Sequence, residues 1–70
     1  MGDNVLTNRI KVRRAMKDWT QEELARRVGV TRKTINTIEN GVYVPSTYLA
    51  LKIAKAFGTN VEEVFQLAED

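Results

Sequence analysis

The chain has no cysteine and no histidine, and a single proline, among its 70 residues. The lack of cysteine excludes disulfides. The lack of both residues excludes the usual thiolate and imidazole metal sites, so carboxylates are the only charged metal ligands left. No apolar run approaches about 18 residues and no signal-peptide pattern is present, so we expect neither a membrane span nor export. We therefore expect a cytoplasmic protein that needs no metal and no cofactor.

Residue types that carry most enzyme chemistry are scarce as well. Besides lacking histidine and cysteine, the chain has no glycine-rich phosphate loop and no carboxylate cluster outside helix starts and the tail. The carboxylates of Glu22, Glu23, Glu62 and Glu63 fall at predicted helix starts, where a negative charge stabilises the positive end of the helix dipole. We predict from this that the protein is not an enzyme.

Length and charge point to one small domain with two unlike halves. Seventy residues, 43% of them hydrophobic, suffice for one core, so we expect a single domain over residues 1–70. Residues 1–40 hold nine Lys or Arg against five acids, a balance of +4, and residues 41–70 hold two against four, a balance of −2. A positive half suits a polyanion such as nucleic acid. A solvated surface with chance clustering of charge is the alternative.

Residues 20–40 form two short helical patterns that are separated by one glycine. Their apolar residues recur at helical spacing, as Leu24, Ala25 and Val28 in the first pattern and as Ile35 and Ile38 in the second. Gly29 lies where the first helix must end, and glycine adopts the left-handed conformation of a helix cap without strain. Ala25 is small and faces the place where the second helix must cross closely. This spacing is typical of a helix-turn-helix DNA reader.

Capping residues predict where these two helices begin. Thr20 can cap the first of them, and Glu23 three residues later completes a capping box. Thr31 can cap the second helix, because its hydroxyl is placed to accept from the first free backbone N–H groups. Ser46, which follows Pro45, starts a further helix that ends at Gly58.

The remaining helical patterns lie at the two ends of the chain. A first helix runs roughly from Thr7 to Lys17. Asn60 and Glu63 form a second start that resembles a capping box, and a short fifth helix rich in apolar residues follows it. The total is five helices and no strands, which is an all-α fold.

Three motifs resemble those of a known family. Residues 20–25 read Thr-Gln-Glu-Glu-Leu-Ala, residues 29–31 read Gly-Val-Thr, and residues 38–41 read Ile-Glu-Asn-Gly ahead of Pro45. In these motifs the chain resembles the Cro and lambda-repressor type of helix-turn-helix regulators, also called the xenobiotic-response-element family. The resemblance covers roughly residues 8–67. The chain is similar to the short members that consist of the DNA-binding domain alone. The resemblance implies a compact five-helix fold whose third helix enters the DNA major groove.

The resemblance also implies which residues touch base edges. Arg32, Lys33 and Thr37 match the recognition-helix positions with that role, and Asn36 is expected to assist. An Arg at the head of this helix can pair with both O6 and N7 of guanine. Lys33 has two possible targets, a base or a phosphate, and the sequence does not decide between them. Thr37 could offer a methyl group to thymine or a hydroxyl to several bases.

Phosphate contacts follow from the same resemblance and from helix geometry. Gln21 and Asn40 match phosphate-binding positions, and free N–H groups at helix starts, such as the one that Thr31 caps, favour phosphate. Arg13 stands where short members often have a core Leu, so it either reaches the DNA backbone or lays its stem across the core edge. Tyr43 either hydrogen-bonds a phosphate or packs on the fourth helix.

Two further residues are expected to serve the fold. Arg14 matches a position that forms an ion pair with Glu39, and it falls on the otherwise apolar stripe of the first helix. The alternative is a pair of unrelated surface charges. Trp19 replaces the aliphatic residue that is usual before the second helix. We expect it to pack in the core with its indole N–H near the surface, with stacking on nucleic acid as the alternative.

These residues together predict a sequence-specific transcriptional regulator, a repressor, that binds a pseudo-palindromic operator in double-stranded DNA as a dimer. It would act in the cytoplasm at the nucleoid. Members of the family usually bind as dimers, and the predicted fifth helix is rich in apolar residues. We therefore expect the dimer contact in the C-terminal half, at Val61, Val64, Phe65 and Leu67. An antitoxin that binds a protein toxin and its own promoter is the alternative. A non-specific architectural DNA binder is a third hypothesis.

Overall fold

The computed structural model describes residues 6–68, and in this part of the chain four α-helices pack around one core. Helix α1 spans Ile10–Lys17, α2 spans Gln21–Val28, α3 spans Arg32–Glu39 and α4 spans Thr47–Phe57. A 3-10 turn at Val61–Glu63 follows α4. Strands β1 (Leu6–Asn8) and β2 (Phe65–Leu67) pair in an antiparallel two-stranded sheet that joins the two ends of the described chain.

Hydroxyl caps set the start of three helices. The side chains of Thr20, Thr31 and Ser46 each accept a hydrogen bond from the backbone N–H three residues later, at 3.0, 3.2 and 3.1 Å. A cap of this kind satisfies a backbone donor that has no partner within the helix. The predicted starts of α2, α3 and α4 are thereby confirmed. At the end of α2, Gly29 has a φ of 79°, in the left-handed region, as the pattern predicted.

The core lies where the apolar stripes of the four helices meet. Twelve hydrophobic residues of the described chain are buried, namely Ile10, Leu24, Ala25, Val28, Ile35, Ile38, Leu49, Ile53, Ala54, Phe57, Val64 and Phe65. Trp19 packs against this cluster, and its ring stacks on that of Phe57 with the centroids 5.6 Å apart. The predicted apolar faces of α2, α3 and α4 all point inward, so α3 is held with its opposite face toward solvent.

The prediction of a purely all-α fold with five helices is wrong. In place of a fifth helix, residues 61–63 form one 3-10 turn and residues 65–67 form strand β2. The side chain of Asn60 makes no capping hydrogen bond, so the predicted box-like start is absent. An apolar segment this short does not distinguish helix from strand by its periodicity. Its pairing with β1, which lies some 60 residues away in the sequence, decided its conformation.

The predicted first helix begins three residues too early. Thr7 belongs to β1, and α1 starts at Ile10. The side-chain oxygen of Asn8 accepts from the backbone N–H of Ile10 at 3.1 Å, and the N–H of Arg9 donates to the carbonyl of Val64 at 2.8 Å. These two hydrogen bonds separate the strand from the helix. Because the second of them depends on the far end of the chain, local sequence does not reveal it.

Two of the four residues predicted for a dimer contact lie inside the monomer. Val64 is wholly buried and Phe65 is 9% exposed, because both close the core beneath the sheet. Neither side chain is therefore available to a second subunit. Leu67, the last residue of β2, remains exposed, and Val61 is half-buried.

None of the helices between residues 6 and 68 combines the length and apolar character needed to cross a membrane.

Candidate nucleic-acid interface

Helix α3 carries an apolar face and a polar face on eight residues. Ile35 and Ile38 are buried against the core. Arg32, Lys33 and Asn36 are exposed on the other face. Long basic and amide side chains on the outer face of a short, fixed helix suit the edges of base pairs, which expose several acceptors and donors in the major groove.

The two basic residues of α3 differ in their partners from four arginines of the described chain. Ion pairs within residues 6–68 join Arg13 to Glu63 and Arg14 to Glu39, and they join Arg26 and Arg27 to Glu23. None of these pairs involves Arg32 or Lys33. The positive charge at the start of α3 is thus not neutralised by a carboxylate of the described chain, and it faces solvent, where a polyanion could bind it.

Gln21, the first residue of α2, connects that helix to α3. Its side-chain Nε2 donates to Asn36 Oδ1 at 3.1 Å and to Glu39 Oε1 at 3.2 Å. Its Oε1 accepts from Arg32 Nη1 at 3.3 Å. Asn40 Nδ2 donates to Asn36 Oδ1 at 3.2 Å. The structure thereby brings together four residues that the resemblance assigned to DNA contacts, and it holds them before DNA arrives.

Arg14 and Glu39 form the ion pair that the resemblance implied for the fold. The side chains are 15% and 7% exposed, so the contact is largely shielded from water. Arg14 also donates from Nη1 to the backbone carbonyl of Trp19 at 2.9 Å. Its guanidinium therefore links α1, the turn before α2 and the last residue of α3.

Arg13 and Tyr43 lie apart from the Gln21 network. Arg13 is directed toward the 3-10 turn, where its Nη2 lies 3.2 Å from Glu63 Oε1. Its side chain is 22% exposed, so most of it is shielded from solvent. Tyr43 lies in the loop after α3 and is 48% exposed, which leaves its ring partly accessible beside that helix.

The structure adds one residue that sequence reasoning missed. Asn8, at the end of β1, donates from Nδ2 to the carbonyls of Ile38 and Glu39, at 3.0 and 3.4 Å. Carbonyls at a helix end have no partner within the helix. Asn8 therefore anchors the end of α3 while its oxygen accepts from the N–H of Ile10, the first residue of α1. An Asn just before an apolar helical stripe is a known start signal, and it could have been found with a later boundary for the first helix.

Comparison with known families agrees with this geometry. A family model described as helix-turn-helix matches residues 10–64, which cover α1 to the end of the 3-10 turn and the residue after it. An uncharacterized HTH-type transcriptional regulator of Bacillus subtilis, YgzD, is 51% identical over 65 residues, which cover 93% of this chain and 98% of that protein. The competence pilus inhibition repressor of Acinetobacter baylyi is 33% identical over 61 residues, covering 87% of this chain and 56% of that protein.

A solved structure supports the fold. The crystal structure of a protein from Bacteroides fragilis superposes with a TM-score of 0.79 at 27% identity, and the match covers 89% of this chain and 100% of that one. The similarity therefore extends over most of the chain.

Proposed function

Because the chain belongs to the helix-turn-helix family of DNA-binding transcriptional regulators, which are not enzymes, we propose that it recognises a specific sequence in double-stranded DNA through α3. The observation that carries this proposal is the outer face of α3. It combines two cations without carboxylate partners in the described chain with an amide held in a fixed network. A merely architectural DNA binder needs basic charge, but it does not need ordered base-reading groups.

Four residues of α3 have the role of reading bases. In this proposal Arg32 and Lys33 read guanine acceptors, Asn36 reads adenine, and Thr37 reads a base edge at the far end of the helix. Arg32 also contacts Gln21, so its guanidinium is restrained before it meets DNA. Restraint of this kind lowers the entropy lost on binding.

Phosphate contacts position the helix on the duplex. Thr31 caps the start of α3, Asn40 and Tyr43 follow its end, and Gln21 contacts Arg32 and Asn36 on the helix. The backbone N–H groups at the starts of α2 and α3 add positive dipole ends toward phosphate. Arg13 takes part only if DNA displaces it from Glu63, and we therefore rank it below the other phosphate candidates.

Repression and binding as a dimer are two further properties of the proposed regulator. The name of the Acinetobacter baylyi relative supports repression. Binding as a dimer would place two copies of α3 on half-sites about 34 Å apart along one face of DNA. In the described part of the C-terminal half, the large exposed apolar side chains accessible to a second copy are those of Val42, Tyr43, Val44, Tyr48, Leu51 and Leu67. A regulator of this kind acts at the nucleoid. The antitoxin alternative gains no support from the names of the relatives.

Selection of bound duplexes from a random DNA pool, at about 0.15 M salt, tests the proposal directly. We expect an inverted repeat to be enriched, and its half-site spacing would report the dimer geometry. A pool that stays random while the protein remains folded and monomeric would overturn sequence-specific binding. Enrichment of a single half-site would support sequence-specific binding and contradict binding as a dimer.

A further inference from the structure

The side chain of Asn36 is exposed on the outer face of α3, and its amide oxygen already accepts from two donors. Gln21 Nε2 lies 3.1 Å from Asn36 Oδ1, and Asn40 Nδ2 lies 3.2 Å from the same oxygen. A carbonyl oxygen has two lone pairs, so these two hydrogen bonds use its full capacity as an acceptor. The amino group of Asn36 donates to no group within residues 6–68.

Charged groups on two sides fix the direction of the Gln21 amide. Its Nε2 lies 3.2 Å from Oε1 of Glu39, a carboxylate that only accepts. Its Oε1 lies 3.3 Å from Nη1 of Arg32, a guanidinium that only donates. A reversed amide would place its oxygen against the carboxylate and its N–H groups against the guanidinium. Both contacts would then be repulsive, so only one direction of the Gln21 amide fits these partners.

The direction of the Gln21 amide in turn fixes that of Asn36. Gln21 presents its nitrogen to Asn36, and an amide nitrogen does not accept a hydrogen bond, so the facing group of Asn36 is its oxygen. The amino group of Asn36 is therefore the part left for a ligand. Asn36 lies one helical turn after Arg32, so the two side chains share one exposed face of α3. That face is the one proposed to read bases.

We propose that Asn36 reads bases as a donor only, and that its target is the N7 atom of a purine. The inference rests on the proposed function and narrows the adenine contact of Asn36 to one atom. An asparagine that uses both of its groups recognises adenine, because it donates to N7 and accepts from the N6 amino group. In this network the accepting group is occupied. Guanine, whose N7 and O6 are both acceptors, is therefore bound at least as tightly as adenine at this position.

Base analogues test this assignment on the parent protein and its Asn36→Ala variant. The probe is the duplex selected from the random pool, with adenine placed at the base pair where Asn36→Ala relaxes the preference. At this position 7-deazaadenine lacks the N7 acceptor, and unsubstituted purine lacks the 6-amino group. We expect 7-deazaadenine to raise the Kd of the parent about fivefold, the effect of one hydrogen bond. Comparison with Asn36→Ala removes any effect of the analogue on the duplex itself.

The remaining duplexes distinguish one contact from two. Relative to Asn36→Ala, the parent should bind the unsubstituted-purine duplex as tightly as the adenine duplex, and the guanine duplex at least as tightly. A loss on removal of the 6-amino group as large as the loss on removal of N7 would overturn the proposal, because Asn36 would then use both groups on adenine. An Asn36→Ala variant that keeps the parent's preference at every base pair would overturn it as well.

A near-isosteric variant reverses the chemistry and keeps the network. Asn36→Asp retains an oxygen for Gln21 and Asn40 and replaces the amino group by a second acceptor oxygen. We expect this variant to lose its dependence on N7 and to become dependent on the 6-amino group, while its added negative charge weakens binding to every duplex. Glu22→Ala, at an exposed position on α2, is the control and should keep the dependence on N7. Dependence of Asn36→Asp on N7 would contradict the fixed direction of the amide.

The outcomes separate this inference from the function on which it rests. Enrichment of a specific sequence without any effect of N7 supports the regulator and contradicts the donor-only role of Asn36. Failure to enrich any sequence contradicts both.

Discussion

Arg14 binds Glu39 through two hydrogen bonds, from Nε to Oε2 at 2.5 Å and from Nη2 to Oε1 at 3.1 Å. The two residues stand on α1 and at the last position of α3, so the pair fixes one end of the recognition helix against the domain. Glu39 Oε1 also accepts from Gln21. The same carboxylate therefore holds the fold together and orients a proposed phosphate-binding side chain.

Arg14→Ala should lower the free energy of unfolding by about 3–5 kcal/mol, because it leaves a largely buried carboxylate without its cation. That is a large part of the roughly 4–10 kcal/mol expected for a domain of this size. Urea unfolding measures the change. Arg26→Ala is the control, since Arg26 pairs with Glu23 at an exposed site and should change stability by about 0.5 kcal/mol or less. Similar losses for both variants would contradict the prediction.

Arg32→Ala and Gln21→Ala should affect DNA binding in different ways. Loss of Arg32 should weaken binding of the selected duplex by about 1–3 kcal/mol and relax preference at one base pair. Loss of Gln21 should weaken selected and random duplexes to a similar extent. Titrations of both duplexes with each variant provide the measurement. Because the two side chains share a hydrogen bond, the double variant should deviate from additivity by about 0.5 kcal/mol or more. Equal selectivity in the two single variants would refute the division of roles.

Asn8→Ala should destabilise the domain by about 1–3 kcal/mol, since it removes the donor to the Glu39 carbonyl, one of the donors to the Ile38 carbonyl and the acceptor for the N–H of Ile10. The expected fall in Tm is at least about 4 °C. Thr7→Ala is the matched control on the neighbouring position of β1. Its exposed hydroxyl donates to the carbonyl of Gln66, and its loss should change stability by about 0.5 kcal/mol or less. Thermal unfolding of both variants provides the measurement. A larger fall in Tm for Thr7→Ala than for Asn8→Ala would contradict the prediction.

Phe65→Ala and Leu67→Ser should separate folding from self-association. Phe65 closes the core, so its truncation should lower the free energy of unfolding by about 3–5 kcal/mol at any protein concentration. Leu67 is 76% exposed, so its change to Ser should leave the monomer's stability nearly intact and weaken dimerisation. Sedimentation equilibrium gives the association constant. A Leu67→Ser protein that dimerises as tightly as the parent would exclude this end of the sheet from the interface.

Local sequence was sufficient for the central helices. The hydroxyl caps at Thr20 and Thr31 act on the donor three residues later, and the apolar stripes repeat within about eight residues. These signals act over a few residues, so the neighbouring sequence determines where each of these helices begins and ends. The same central region carried the family motifs, which is why the proposed reading residues could be named before the fold was known.

The conformation of the two ends of the chain could be known only from the tertiary structure. Strand β2 exists because residues 65–67 meet β1, and Val64 and Phe65 are buried because the sheet closes over the core. Asn8 acquires its role from carbonyls some 30 residues away. The sequence by itself determined the helices α2 to α4, their caps and the family, since hydrogen bonds and periodicity within one helix are local. Only the tertiary structure decided which apolar residues remain exposed and which polar groups meet, because both depend on contacts between distant segments.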